Sequence, residues 1–242
     1  MQIRDDTDIK IKNSFQCYKK HKKGVYKKMK ISDEVYALDS TKRNYVYLIL
    51  GEEIILIDTG LPKSGEGILN DLKSMDIKPH DIKHILITHD DMDHVGSLAL
   101  LEKASGAKIW ASKEDIPYIL GEINRHMIKR IINYIIKLKK PKNINSYPEN
   151  GMIGNIKVIY TPGHTLGHVC LLYKDIMFVG DLFRTKNGEI IMQPSFTNWN
   201  NQIIKESITK IDEYDFEWIC PAHGEPIKRD SHLKDFIKKI SD

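Results

Sequence analysis

The stretch Ile85-Leu86-Ile87-Thr88-His89-Asp90-Asp91-Met92-Asp93-His94-Val95-Gly96 passes from an apolar run to five ionisable residues within six positions. Imidazoles and carboxylates packed that closely carry a large desolvation and like-charge cost unless divalent cations lie between them. His89, Asp91, Asp93 and His94 are therefore candidate metal ligands. The competing reading is a solvated turn whose aspartates cap the next helix. Three other apolar runs also end in ligand-type side chains: His164 in Thr161-Pro162-Gly163-His164-Thr165-Leu166-Gly167-His168, Asp181 after Gly180, and His223 in Pro221-Ala222-His223-Gly224. Proline stiffens such turns and glycine lets backbone come close, so each aims one side chain. A lone histidine is more often a satisfied core or surface group than a ligand, and the recurrence at strand ends reverses that weighting.

The chemistry open to such a cluster is hydrolysis without a protein nucleophile. Divalent cations held there would lower the pKa of a bound water toward neutrality and polarise the carbonyl or phosphoryl oxygen under attack. Asp93 could orient that water or accept its proton as well as ligate. A serine nucleophile is not indicated, because no G-x-S-x-G sequence occurs.

The positioning elements read as strands and helices in alternation. Val35–Leu38, Tyr45–Leu50 and Ile54–Ile57 are strand-like runs separated by polar turns, a meander feeding one sheet. Asp58-Thr59-Gly60 follows the third; a carboxylate there is either a turn former or a support for a nearby site, placed behind the ligands rather than among them. A helix is expected over Gly65–Met75, a buried strand at Ile85–Ile87 and a helix from Asp93 to Ala104. Lys108–Ala111 reads as a strand and Ser112–Leu120 as a short helix. Met127, Ile128, Ile131, Ile132, Ile135 and Ile136 then recur at helical spacing, so an amphipathic helix from about Glu122 to Lys139 forms an insert over residues 112–145. Such a stripe serves as a lid or a homodimer face, with a membrane contact the lesser alternative. Strands follow at Ile156–Tyr160, His168–Tyr173, Ile176–Val179 and Glu217–Cys220, with helices over Trp199–Ile211 and His232–Ile240.

The 242 residues, 41% hydrophobic and 29% charged, suit one large domain spanning 1–242, with a lysine-rich N-terminal segment over 1–34. Lys+Arg 37 against Asp+Glu 33 is nearly balanced, which speaks against nucleic acid as a partner and leaves a small-molecule substrate. No apolar run reaches the roughly twenty residues of a membrane span, and a cytoplasmic location is expected. Cys17, Cys170 and Cys220 are odd in number and widely spaced, unlike a disulfide framework, and Cys170 and Cys220 read as core residues.

Thr88-His89-Asp90-Asp91-Met92-Asp93-His94, Pro162-Gly163-His164-Thr165, Gly180-Asp181 and Pro221-Ala222-His223-Gly224, with Asp58-Thr59-Gly60 before them, resemble in order and spacing the motifs of the metallo-β-lactamase superfamily. The likeness runs from about Val35 to Ile227. It implies an α/β fold, a four-layer αββα sandwich with a binuclear metal site at one edge of its two sheets. By that resemblance His89, Asp91 and His164 would hold one metal and Asp93, His94 and His223 the other, with Asp181 bridging both.

The family's first motif usually reads His-x-His-x-Asp-His, and here Asp91 stands at its second histidine. A carboxylate is a harder ligand, so Zn²⁺ is expected while Mn²⁺ or iron gains ground. The resemblance implies a binuclear hydrolase of a small ester-like substrate, a lactone or thioester. The runner-up readings are a phosphodiesterase or nuclease-like hydrolase, a di-iron redox protein, and a non-catalytic module held by its metals. Phe183, Phe196 and Trp199 could line an apolar acyl pocket or be ordinary core aromatics. Arg184 could bind an anionic substrate group, and a surface salt bridge is the expectation.

Overall fold

The computed structural model describes residues 29–42, 44–123 and 138–241. The lysine-rich segment before residue 29 and most of the Glu122–Lys139 helix lie outside the described residues. Four short strands, β1 (Met29–Lys30), β2 (Val35–Ala37), β3 (Tyr47–Leu50) and β4 (Ile54–Ile57), pair antiparallel in sequence order. Helix α1 (Ser64–Lys73) then crosses to β5 (Ile82–Leu86), parallel to β4. Helices α2 (Met92–Val95) and α3 (Leu98–Ser105) lead to β6 (Lys108–Ala111), and α4 (Ile116–Leu120) precedes the edge strand β7 (Asn145–Ser146). These seven strands form one sheet in chain order.

The second sheet contains β8 (Met152–Ile153), β9 (Ile156–Tyr160), β10 (Val169–Tyr173) and β11 (Ile176–Gly180), paired antiparallel in turn. A hairpin, β12 (Arg184–Lys186) with β13 (Glu189–Ile191), branches off. Helix α5 (Asn201–Ile211) returns the chain to β14 (Trp218–Pro221), parallel to β11, and β15 (Ile227–Lys228) and α6 (His232–Ser241) complete it.

Alternation along the strands builds three apolar layers. On β3, Tyr47 and Ile49 face the other sheet and Leu48 faces outward. Between the sheets Tyr47, Ile49, Ile57 and Leu86 meet Val169, Leu171 and Phe178. Leu48, Leu56 and Ile85 pack outward on Ile68 and Leu72 of α1 and Leu98 and Leu101 of α3. Met177, Val179 and Ile219 pack on Ile204, Ile208 and Ile211 of α5 and Leu233 and Phe236 of α6. Each fully buried aliphatic chain contributes about 1.5–3 kcal/mol. This is the αββα sandwich.

Three expectations change. The helix expected over Asp93–Ala104 is broken at Gly96–Ser97, because Gly96 N–H donates to Gly60 O and a Cβ on Gly96 would stand 2.4 Å from Pro62 N. The break brings the turn after Asp58 against the metal motif. The Trp199 helix starts at Asn201, capped by the Asn200 side chain, which accepts from Gln202 and Ile203 N–H. The hairpin β12–β13 was not expected from the strand pattern, although Asn187 (φ 54°) and Gly188 (φ 82°) are the asparagine-glycine pair that such a turn favours. Among the described residues no helix is long and apolar enough to cross a membrane.

Candidate metal centre

The turns carrying the candidate ligands follow β5, β9, β11 and β14, whose C-terminal ends meet at one edge of the sandwich. All seven side chains converge. Asp91 Oδ2 lies 3.0 Å from His164 Nε2 and 3.7 Å from His89 Nε2. On the other side Asp93 Oδ2 lies 3.2 Å from His223 Nε2 and 4.0 Å from His94 Nε2. Asp181 reaches both halves, with Oδ2 3.6 Å from His164 Nε2 and 3.4 Å from His223 Nε2, and Oδ1 3.5 Å from His94 Nε2. His89, His164 and Asp181 offer ligand atoms within 4.8 Å of one another, as do Asp93, His94 and His223.

What stands behind the imidazoles fixes which nitrogen faces the cluster. Asp58 Oδ2 accepts from His94 Nδ1 at 2.8 Å and from Thr88 Oγ1 at 2.7 Å. With its proton committed to Asp58, the Thr88 hydroxyl is the acceptor for His89 Nδ1 at 3.1 Å. His164 Nδ1 donates to Asn198 Oδ1 at 2.9 Å. In this assignment each Nδ1 carries the proton and each Nε2 lone pair points inward, the arrangement that orients metal-bound histidines. His89 Nε2, His94 Nε2 and Asp181 Oδ1 are shut off from solvent with no hydrogen-bond partner. A buried lone pair without a donor is costly, and a cation between these atoms removes that cost. The donor set fits a metal.

Without a cation the electrostatics split the imidazoles, and a metal entering the cluster displaces a proton from His94 and from His223. Burial, with His94 next to it, holds His89 well below its ordinary pKa. Burial also opposes the charged form of His94, but Asp58, Asp181 and Asp93 outweigh it and raise that imidazole well above the ordinary value. His223 is desolvated too, yet hydrogen bonds to Asp181 and Asp93 push it up to about 10. Burial works against an ionised Asp181, and His94 and His223 overcome it, holding that carboxyl well below the usual range. Burial pushes the Cys170 thiol up to about 12 and Cys220 well above its usual value, so neither is a thiolate at neutral pH.

Several supporting residues carried no legible signal. His168, fully buried, accepts from Asp181 N–H through Nε2 at 3.2 Å, while its Nδ1 lies 2.9 Å from Thr161 Oγ1. Burial pushes it down to about 3, which keeps it a neutral acceptor. Asp115, placed before α4, accepts from Asp90 N–H at 3.2 Å, Thr165 Oγ1 at 2.8 Å and Gly167 N–H at 2.9 Å. Asn44 donates through Nδ2 to Asp93 O. Phe183 is a core residue at 0% exposure and lines no pocket, whereas Phe196 (76%) and Trp199 (49%) stand exposed. Trp199 N–H donates to His164 O at 2.9 Å, so Trp199 sits beside the cluster. The salt bridge expected of Arg184 is absent among the described residues.

The model of the metallo-beta-lactamase superfamily matches residues 41–223, and the chain belongs to that superfamily. It is 29% identical over 211 residues to the uncharacterized protein YobT of Bacillus subtilis, covering 80% of this chain and 88% of the relative. It is also 29% identical to a probable metallo-hydrolase of Streptococcus pyogenes serotype M6, over 75% of this chain and 78% of that protein. The crystal structure of metallo-beta-lactamase SMB-1 bound to 2-mercaptoethanesulfonate superposes with a TM-score of 0.66 at 17% identity, covering 81% of this chain and 79% of that one. That last likeness is one of fold.

Proposed function

We propose that this chain, a metal-dependent hydrolase, cleaves a small ester-like substrate, a lactone or thioester, at a binuclear centre. In this reading His89, Asp91 and His164 hold one cation, Asp93, His94 and His223 the other, and Asp181 touches both. The observation that carries it is the set of inward-facing, unpartnered His89 Nε2, His94 Nε2 and Asp181 Oδ1. Two divalent cations bound there supply a Lewis acid for the carbonyl oxygen and a water acidic enough to attack near neutral pH. Zn²⁺ leads, and the Asp91 carboxylate admits Mn²⁺ or iron.

The chain's own side chains do the rest. Burial opposes ionisation of Asp93, but His94 and His223 lower its pKa, so it is a carboxylate ready to accept the attacking water's proton at an oxygen. His168 holds Asp181 in place through its backbone N–H. Asn198 and Asp58 keep His164 and His94 in the tautomer whose Nε2 faces the metal cluster. The test is a panel of lactones, thioesters, simple esters and phosphodiesters on protein loaded with zinc, manganese or iron. Lactone or thioester turnover that vanishes in Asp93→Ala supports the reading. A redox-active di-iron centre with no hydrolysis, or phosphodiester cleavage alone, overturns it.

A further inference from the structure

Two buried tyrosines end on the backbone that leads into the metal cluster. Tyr47 opens β3 in the first sheet, and its hydroxyl donates to Pro221 O at 2.6 Å. Pro221 closes β14 of the second sheet, two residues before His223. Tyr147 lies just beyond β7, and its hydroxyl donates to Ile87 O at 3.0 Å. Ile87 lies just beyond β5, two residues before His89. Each phenol thus meets a carbonyl at the same step of a turn that delivers a candidate histidine ligand.

Both rings stand in the apolar layer between the sheets, Tyr47 at 2% exposure and Tyr147 at 5%. Burial raises both phenols well above their ordinary pKa, so each stays a neutral donor. A hydroxyl in such a layer costs stability unless it is paired, and phenylalanine would fill the same space without that demand. The ring of Tyr47 packs on Phe178, with centroids 5.1 Å apart, and its backbone is held in the ladder opposite Ile57. Tyr147 N–H donates to Ala111 O at 3.0 Å, so its hydroxyl reaches past β6 to the end of β5. Rings fixed in this way make fixed donors.

The strands stop where these bonds are made. Ile87 N–H donates to Trp110 O at 2.9 Å, and Ala222 O accepts from Tyr45 N–H at 2.8 Å. With each strand end already tied through the backbone, the phenol bond sets the direction in which the chain leaves it. The two turns are held separately, one by each ring.

We infer that Tyr47 and Tyr147 are positioning residues for metal binding, Tyr47 acting on His223 and Tyr147 on His89, each through backbone two residues from the imidazole. This rests on the reading of the cluster as a metal centre and adds the groups that set the place of two of its histidines.

The experiment titrates zinc, in chelator-buffered steps, into protein carrying isotope-labelled histidine, so that ring-nitrogen resonances report His89 and His223 apart. In Tyr47→Phe the zinc needed to saturate His223 rises about tenfold relative to His89, and in Tyr147→Phe the order reverses. Tyr45→Phe leaves both unchanged, because Tyr45 contributes its N–H. Replacing Tyr47 by para-aminophenylalanine, which keeps a donor on the ring, brings His223 back toward wild type and gives a second variant should loss of the hydroxyl impair folding.

Equal weakening at both histidines, or a lowered Tm with wild-type zinc affinities, makes the two tyrosines core residues and overturns the inference. Wild-type resonances that ignore zinc at His89 and His223 end the metal reading and this inference with it. Zinc uptake without the split ends the positioning role alone.

Discussion

Asp58 Oδ2 lies 2.8 Å from His94 Nδ1, and the same carboxylate also receives the Thr88 N–H and hydroxyl. One side chain at the end of β4 thereby fixes His94 directly and His89 through Thr88. Asp58 has φ 61°, a left-handed backbone that asparagine tolerates. Asp58→Asn therefore keeps the turn but offers one acceptor oxygen where three donors converge. Zinc affinity measured by competition with a chelating dye is expected to fall about 10–100-fold. Unchanged affinity would mean that Asp58 only shapes the turn.

Asp115 ties together the two loops that feed one half of the cluster. Its carboxylate bonds Asp90 N–H, between His89 and Asp91, and also Thr165 and Gly167, just after His164. A Cβ on Gly167 would stand 1.9 Å from Ser112 Oγ, so the glycine is what admits this contact. In Asp115→Asn an amide N–H₂ replaces one oxygen and opposes a donor. The His89, Asp91 and His164 half is expected to lose metal affinity by about tenfold more than the Asp93, His94 and His223 half, giving a biphasic titration. Equal weakening of both halves would place Asp115 in general packing.

The same residue predicts a pH dependence. Burial and the neighbouring Asp90 push Asp115 from 3.8 up to about 7 in the folded chain. A carboxyl whose folded pKa is raised favours folding in its protonated form. That contribution is complete below its unfolded pKa and is lost as pH rises through about 7. Urea unfolding of metal-free protein is expected to show wild-type stability falling relative to Asp115→Asn across this window. A pH-independent difference between the two would contradict the shift.

The candidate ligands were legible because each group ends an apolar run, the three later ones beside glycine or proline, a pattern that survives in one dimension. Asp181 and the three histidine turns needed no knowledge of contacts. His168, Asn198 and Asp115 were not legible, because each acts on a residue brought near only by the fold: Asp115 meets Gly167 across 52 positions and Asn198 meets His164 across 34. Phe183 was left open between pocket and core, because an aromatic beside a site residue looks the same in sequence either way, and it lies in the core. Arg184 misled instead. A charged side chain is usually solvated, and only its sealed Nε distinguishes it.

His223 sets the proton cost of loading the cluster. Its desolvation is outweighed by Asp181 and Asp93, so without a cation it holds a proton up to about pH 10. That proton must leave before Nε2 can ligate. Metal affinity should therefore rise with pH through the neutral range, by about tenfold per unit for each proton displaced. Calorimetry in buffers of different ionisation enthalpy counts the protons released. No release at pH 7 would remove His223 from the ligand set.

Chelation separates a catalytic centre from a structural one. The candidate ligands sit on turns at the sandwich edge, whereas three apolar layers hold strands and helices together without them. Metal-free protein is expected to keep its far-UV circular dichroism while losing hydrolysis. Its Tm should drop by an amount tied to ligand binding, about 2.7 kcal/mol of stability for metal present at 100 times its Kd. Protonated His223 then takes over part of the cation's place between Asp181 and Asp93, at the desolvation cost of its own buried charge. Returning metal should recover activity in full without refolding. A chelated protein that loses its secondary structure would instead make the cations part of the fold itself, and the cluster would then resemble a structural zinc site.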